Sequence, residues 1–467
     1  MSQLEKGREG ESVWLQPQIV ARIAPALITL AFFLWVSGGR WLSKIPLGIP
    51  NLELPTALFL GGLLVSVFTG QAFWWLKTGS RRNLRFLKIF GIWTWIFICL
   101  VLAWALGTGS QLNFILRDIA PLLFIGCLWP LVGVFRGIET SALILVTRAA
   151  VIIHSAFFFF QRLVQVPENW QTFLAFGDAT PFNFRSDFSG IVLGIGILAW
   201  GAWPNCKANR AMQGLIFLIA CVNGSKAALV TIALCLVIEV LREREWFFRN
   251  GYRMVGLGLV VVTGLLFGPV LNALPTVPIS TPSTAPSTAK GPASLVQLVG
   301  SVRARIITWE DVWDGLRENN NLILGAGVGS NALQDYCLIG TANRTKVDSD
   351  LIKDSFGVNG TYCGVDSGLG ATKLRDPHNW VVHILLYLGF LGLLTFCVAI
   401  AFFMKASRNS KVHWLAFAWL VGTLAAGLFG VIVSTPFAMG PLVVAIAWSV
   451  ASKQSTFTDA TSKRRQF

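Results

Sequence analysis

FLKIFGIWTWIFICLVLAWALG, Phe86 to Gly107, carries a single charge, Lys88, near its start. Coiled as a helix it is about 33 Å long, enough to cross the roughly 30 Å of hydrocarbon in a bilayer. Arg81, Arg82 and Arg85 stand immediately before it. An apolar run with basic residues at one end is predicted to be a transmembrane helix held by its cytoplasmic end. Comparable runs lie near 20–38, 54–76, 114–135, 140–163, 188–204, 211–224, 226–242, 253–273, 378–403, 412–434 and 436–452. The predicted fold is therefore all-α, a polytopic membrane protein of about twelve spans. The first run follows a polar leader, Met1 to Gln18, with no small-residue cleavage site after a short core, and is expected to be a span rather than a signal peptide.

The composition agrees. Only 13% of the 467 residues are charged and 54% are hydrophobic, whereas a soluble domain is near one quarter charged. The net charge of +15 would suggest nucleic acid in a soluble protein, but its distribution argues against that partner. With the N-terminus inside, the inner loops hold Lys77, Arg81, Arg82, Arg85 and Lys88, then Arg136, then Lys207 and Arg210. Arg242, Arg244, Arg249 and Arg253 follow, then Lys405, Arg408 and Lys411, and the tail adds Lys453, Lys463, Arg464 and Arg465. The short outer loops and their flanks hold fewer: Arg40, Lys44, Arg162, Arg185 and Lys226. This positive-inside pattern puts both termini in the cytoplasm. The chain then divides into spans one to nine (1–273), an outer loop (274–377), spans ten to twelve (378–452) and a cytoplasmic tail (453–467).

The outer loop begins with PTVPISTPSTAPSTAKGPAS, a Pro-, Ser- and Thr-rich tether. VRARIITWEDVWDGL follows, in which Val302, Ile306, Trp309, Trp313 and Leu316 recur at helical spacing. This predicts an amphipathic helix lying on the bilayer surface or capping the bundle. Cys337 and Cys363 share the remaining stretch, and in an oxidising compartment they are expected to form a disulfide. The other six cysteines lie in or beside apolar runs and read as small core residues. No internal repeat is visible, which disfavours transporters built from duplicated halves.

Ionisable residues at membrane depth cost roughly 2.5–3.5 kcal/mol each on insertion scales, so each needs a reason. The candidates are Arg117 with Asp118, Arg148 with His154, Arg185 with Asp187, Lys226, and His378 with His383. Arg185, Lys226 and His378 fall at the outer ends of spans, and Arg303 and Arg305 in the outer loop. Cations gathered on one side suit an anionic substrate, above all a diphosphate, because guanidinium groups bind its oxygens bidentately. Plainer readings stand beside these: an internal ion pair for Arg117 and Asp118, helix bridges for Arg148 and His154, and a snorkelling side chain for Lys226. Arg303 and Arg305 also read as solvated loop charges, and His378 as a helix-start residue. No HExxH, CxxC pair, Walker loop or G-x-S-x-G elbow is present, so no metal or cofactor is expected.

HNWVVHILLYLGFLG, His378 to Gly392, is a His-Asn followed after nine residues by Gly-x-x-Gly. It resembles the signature of bacterial O-antigen ligases and of the O-antigen polymerases in their superfamily. RIITWEDVWDGLRENNNLILGAGVGSN, Arg305 to Asn331, resembles that family's Arg, Trp four residues on, and Gly-x-Gly-x-Gly turn. NGSKAALV, Asn223 to Val230, stands where the family often has Ser-Arg at a helix start; Lys226 keeps the charge without the bidentate fork. The resemblance implies a GT-C-like bundle in a bacterial inner membrane, with one large periplasmic loop before the last three helices. It implies transfer of a glycan from undecaprenyl diphosphate to the sugars of lipid A-core, or to a second lipid-linked glycan in a polymerase. His378 would be the general base, Arg305 would stabilise the departing diphosphate, and Arg303, Lys226 and Arg185 would help bind it. An already activated donor requires neither ATP nor metal. A lipid-linked saccharide transporter is the reading from another class, and it predicts polar residues through the whole membrane depth rather than on one face.

Overall fold

Ile89, Ile96, Leu100 and Trp104 follow one another at helical spacing, and all are exposed, Trp104 to 72%. An apolar stripe of this kind on a soluble protein would be an aggregation surface, whereas against lipid it is the expected outer face of a span. The computed structural model describes residues 17–43, 53–77, 82–110, 112–163, 186–201, 207–221, 226–242, 295–330, 332–333, 335–336, 379–408, 410, 412–428 and 435–464. Among them the regular elements are helices. Four are long and apolar enough to cross a membrane: Lys88–Gly107, Phe114–Val134, Thr140–Phe160 and Trp380–Ser407. Arg22–Gly38, Leu54–Phe68, Phe188–Gly201, His413–Gly427 and Pro436–Ser452 are apolar but shorter. The chain is a helical membrane protein. The run at 253–273 and the tether at 275–294 lie outside the described residues.

In chain order the helices are α1 (Pro17–Ser43), α2 (Leu54–Phe68), α3 (Trp74–Lys77), α4 (Arg82–Gly107), α5 (Leu112–Val134), α6 (Thr140–Leu163) and α7 (Ser186–Gly201). They continue with α8 (Lys207–Cys221), α9 (Lys226–Arg242), α10 (Leu295–Glu318), α11 (Trp380–Ser407), α12 (His413–Gly427) and α13 (Pro436–Arg464). The 54–76 stretch, expected as one span, is instead broken after Phe68. Thr69 turns its hydroxyl back onto the Val65 and Ser66 carbonyls, Gly70 takes a left-handed φ of 71°, and a 3-10 turn, Gln71–Phe73, leads into α3. The stop follows from the side chain competing for helix carbonyls and from a conformation glycine adopts without strain.

α5 is the hub. The membrane window of α5 is 72% buried, against 28% for α4. The fully buried Trp129 of α5 meets Phe403 of α11 edge-on at 4.9 Å, and Phe135 just beyond α5 stacks on Trp448 of α13 at 4.5 Å. Lipid is as apolar as these side chains, so close packing rather than escape from water holds the helices together. Small residues permit the approach: Gly190 and Gly194 of α7, four apart, face Ala228 and Cys235 of α9. These contacts run in step along both chains, so α7 and α9 are parallel; the α5–α11 and α5–α13 contacts give those pairs the same sense.

Buried polar groups bridge helices. Arg148 of α6 donates from Nε to the Ala199 carbonyl at 2.9 Å and from Nη2 to the Trp200 carbonyl at 3.3 Å, its guanidinium 4.4 Å above the Trp200 ring. It thereby caps the C-terminal end of α7, where the helix dipole favours a cation. Glu239, 3% exposed, accepts from Arg242 at 2.8 Å and Gln213 at 2.9 Å, and Arg210 lies 3.6 Å away. His154 of α6 pairs with Ser189 of α7 at 3.0 Å. Arg148 and His154 are thus helix bridges in this fold. The remaining cysteines do not all fill the core: Cys235 is buried, but Cys99 and Cys397 face outward.

Replacing Gly190 with leucine drives a side chain into the Cα and Cβ of Ala228. Overpacking of this kind costs about 1–3 kcal/mol. The variant is expected to melt several degrees lower in detergent than wild type, while Gly214→Leu, at an open position on α8, melts with wild type.

Candidate functional site

α10 carries the Arg-Trp element. Its buried face is Thr308, Val312, Gly315 and Leu316, whereas Ile306 and Trp313 of the expected apolar stripe are 42% and 44% exposed. The reason is closeness: Tyr336 lies so near Gly315 that a Cβ there would collide with its ring. Thr308, Val312, Gly315 and Leu316 go against protein while Ile306 and Trp313 point outward, Trp313 meeting Phe390 edge-on at 6.2 Å. Ile306 and Trp313 are the residues that suit a lipid interface.

The helix stops at three asparagines. Asn320 takes a φ of 57°, Asn319 Nδ2 donates to the Gly315 carbonyl at 2.7 Å, and the Asn321 N–H returns to Leu316 at 2.8 Å. These bonds satisfy the carbonyls that a helix end leaves free. Beyond them, Leu322, Ile323 and Leu324 run alongside α11 at Gly389, where that helix is broken (φ 62°, ψ −168°). The break frees backbone groups that lipid cannot satisfy. The loop satisfies them: Phe390 N–H donates to Leu322 at 2.9 Å, Leu391 N–H to Ile323 at 3.1 Å, and Ala326 N–H to the Leu386 carbonyl at 2.7 Å. Gly325, Gly327 and Gly329 all have left-handed φ, and a Cβ on Gly325 or Gly389 would strike the other strand's backbone. The Gly-x-Gly-x-Gly turn and the first glycine of Gly-x-x-Gly are therefore two halves of one backbone joint.

The far end of the turn is held by Asp118. Its Oδ2 accepts from the Gly329 N–H at 2.9 Å across 211 positions of sequence, and Arg117 Nε lies 3.3 Å from Oδ1. Asp118 is fully buried, and His383 of α11 is buried as well, 3% exposed. The His383 ring packs against Tyr387 with centroids 5.0 Å apart. The Arg117–Asp118 ion pair exists as read from sequence, but nothing local in the sequence signals that it also anchors a loop from the other half of the chain.

His383 is one turn into α11, whose N-cap is Asn379: its side chain accepts from the Val381 and Val382 N–H groups at 2.9 and 3.3 Å. The Asn of His-Asn is thus the helix-start residue. His378, directly before it, lies outside the described residues, as do Arg185, Cys337 and Cys363. Arg303 and Arg305 lie on α10 and Lys226 opens α9, with their side chains outside the described residues. Lys226 is two residues before Ala228, the α7 contact, so the starts of α7 and α9 are adjacent. Phe188 of α7 in turn meets Phe437 near the start of α13. The parallel helices α5, α7, α9, α11 and α13 therefore open their N-termini on one end of the bundle, where α4 ends. Among the described residues no three His, Cys, Asp or Glu side chains gather as metal ligands do.

No family model matches this chain, and no curated protein matches it.

Asp118→Ala removes the acceptor of the Gly329 N–H and leaves that amide without its charged partner. A hydrogen bond to a charged group contributes about 1.5–3 kcal/mol, so the Gly329 amide should exchange roughly ten- to a hundredfold faster. Hydrogen exchange of the 319–330 segment measures this; unchanged exchange there would show that Asp118 does not hold the loop.

Proposed function

We propose that this protein is a membrane glycosyltransferase of the O-antigen ligase type, acting at the periplasmic face of a bacterial inner membrane. One observation carries the reading. The Gly-x-Gly-x-Gly turn after the Arg-Trp helix and the Gly-x-x-Gly of the His-Asn helix, quoted separately from the sequence, are joined backbone to backbone at Gly325 and Gly389. Motifs that meet in this way behave as one functional unit. The joint ties the helix bearing Arg303 and Arg305 to the helix that begins just after His378, at the end of the bundle where α5, α7, α9, α11 and α13 begin.

In this mechanism the donor is a glycan on undecaprenyl diphosphate and the acceptor is a sugar hydroxyl of lipid A-core. The hydroxyl oxygen attacks the anomeric carbon and its proton passes to His378. The bond to the diphosphate breaks with its electron pair leaving on the phosphate oxygen, where Arg305, with Arg303, Lys226 and Arg185, stabilises the charge. An imidazole, whose unperturbed pKa lies near 6.5, suits proton transfer at neutral pH. Asp118 has a positioning role, holding the loop that orients α10.

Purified protein incubated with lipid-linked glycan and lipid A-core tests the reading. Loss of a general base costs about 10²–10⁴-fold in rate, so His378→Ala should lose transfer by that factor while still binding donor. Arg305→Ala should lose both donor binding and transfer, and Arg305→Lys should recover only part, because a point charge does not replace the fork. Full activity in His378→Ala would overturn the mechanism. Growth of the donor glycan on a second lipid-linked glycan, with lipid A-core left unmodified, would assign the chain to the polymerases instead.

The sidedness follows from the basic residues and is supported by helix direction: the chain leaves α9 at one end of the bundle and reaches Gly325 at the other. A cysteine placed at Ser287 should label with an impermeant reagent from the periplasmic side of intact cells. Labelling confined to inverted vesicles would remove the periplasmic mechanism.

A further inference from the structure

About one α5 length from the Gly-rich joint, beside the C-terminal end of α5, a cleft of about 1480 Å³ opens between α1 and α6. Its walls are apolar, with Leu30 and Phe33 on α1 and Leu145 and Val146 on α6, and Leu145 is 66% exposed toward the surroundings of the bundle. Its other end is polar: Arg22, Arg136 and Glu139 line it, and all three are exposed. The two charges nearest the α5–α6 corner are held in place. The Arg136 guanidinium rests 4.9 Å over the Trp74 ring, and the Ser141 hydroxyl donates to Glu139 Oε2 at 2.8 Å.

Dimensions and charge together identify an occupant. From Arg22 to Phe33 the wall rises about 16 Å along α1, which is half of the roughly 30 Å hydrocarbon layer. The cleft therefore has the depth of one leaflet, with its charges at the headgroup level and its apolar wall beside the acyl chains. Basic pockets between spans at the cytoplasmic side hold anionic headgroups. Here a carboxylate lines the same cleft as the two guanidiniums, and a headgroup that carries a phosphate followed by an ammonium matches that set of charges. We propose that this cleft binds one aminophospholipid of the phosphatidylethanolamine type. Its phosphate lies between Arg22 and Arg136, its ammonium lies at Glu139, and one acyl chain lies along α1. The proposal is independent of the glycosyl-transfer reading and requires only that the bundle span a membrane.

Native mass spectrometry of the full-length protein, in detergent with phosphatidylethanolamine and phosphatidylglycerol supplied in equal amounts, tests it. The wild-type chain should retain one phosphatidylethanolamine in preference to phosphatidylglycerol. The double variant Arg22→Ala, Arg136→Ala should lose retained lipid of both kinds. Glu139→Gln should keep lipid but lose the preference, by about tenfold in relative affinity, or 1.4 kcal/mol. Leu145→Trp changes an exposed residue, leaves the buried core intact, and should exclude lipid by filling the groove. Equal retention of the two lipids in wild type, unchanged by Glu139→Gln, would overturn the headgroup assignment. Retention unaffected by the double variant and by Leu145→Trp would overturn the site. Lipid that binds only after deletion of residues 2–16 would show instead that the chain's own N-terminal segment fills the cleft.

Discussion

The architecture at the proposed active end depends on one constraint: a helix broken in an apolar environment must have its freed backbone groups satisfied by other protein groups. α11 is broken at Gly389, nine residues and about 14 Å in from its first residue. Three N–H···O bonds with the 322–326 segment repair it. Neither partner is tenable alone, because the segment has its own backbone groups to satisfy and is bordered by exposed Ile323 and Leu324. Each supplies what the other lacks. Glycine is required on both sides because the two backbones approach more closely than any Cβ permits.

That joint determines how the rest of the site is oriented. It fixes the end of α10, whose buried face is chosen by Tyr336 approaching Gly315. Asp118 closes the other end of the turn and ties it to α5, the most enclosed of the four long spans. A buried carboxylate is unfavourable unless it is paired and hydrogen-bonded, and Asp118 is held by Arg117 and by the Gly329 amide. The same rule accounts for the other end of the bundle, where Glu239 is held by Arg242, Arg210 and Gln213. In both places charge at membrane depth fastens one helix to another.

The two ends therefore differ in chemistry. One holds the Gly-rich turn, packed between the end of α4 and the start of α5. The other gathers helix C-termini, arginine caps and the basic flanks of the spans, beside a cleft with the depth of a single leaflet.

Much of this was legible in the sequence. Apolar length determined that the chain is a helical membrane protein, because hydropathy acts residue by residue. The 302–316 periodicity determined a helix, since apolar spacing follows the helical turn. Only the tertiary structure decided which face of that helix is buried, because the choice rests on Tyr336 approaching Gly315 and not on the helix's own hydrophobicity. It alone showed that the 54–76 run breaks after Phe68, a break that depends on how Thr69 and Gly70 turn. It also turned Asp118 from half of a local ion pair into the anchor of a loop 211 positions away. No local pattern encodes a contact of that range: it exists only once the helices have packed and a broken helix has found the backbone that completes it.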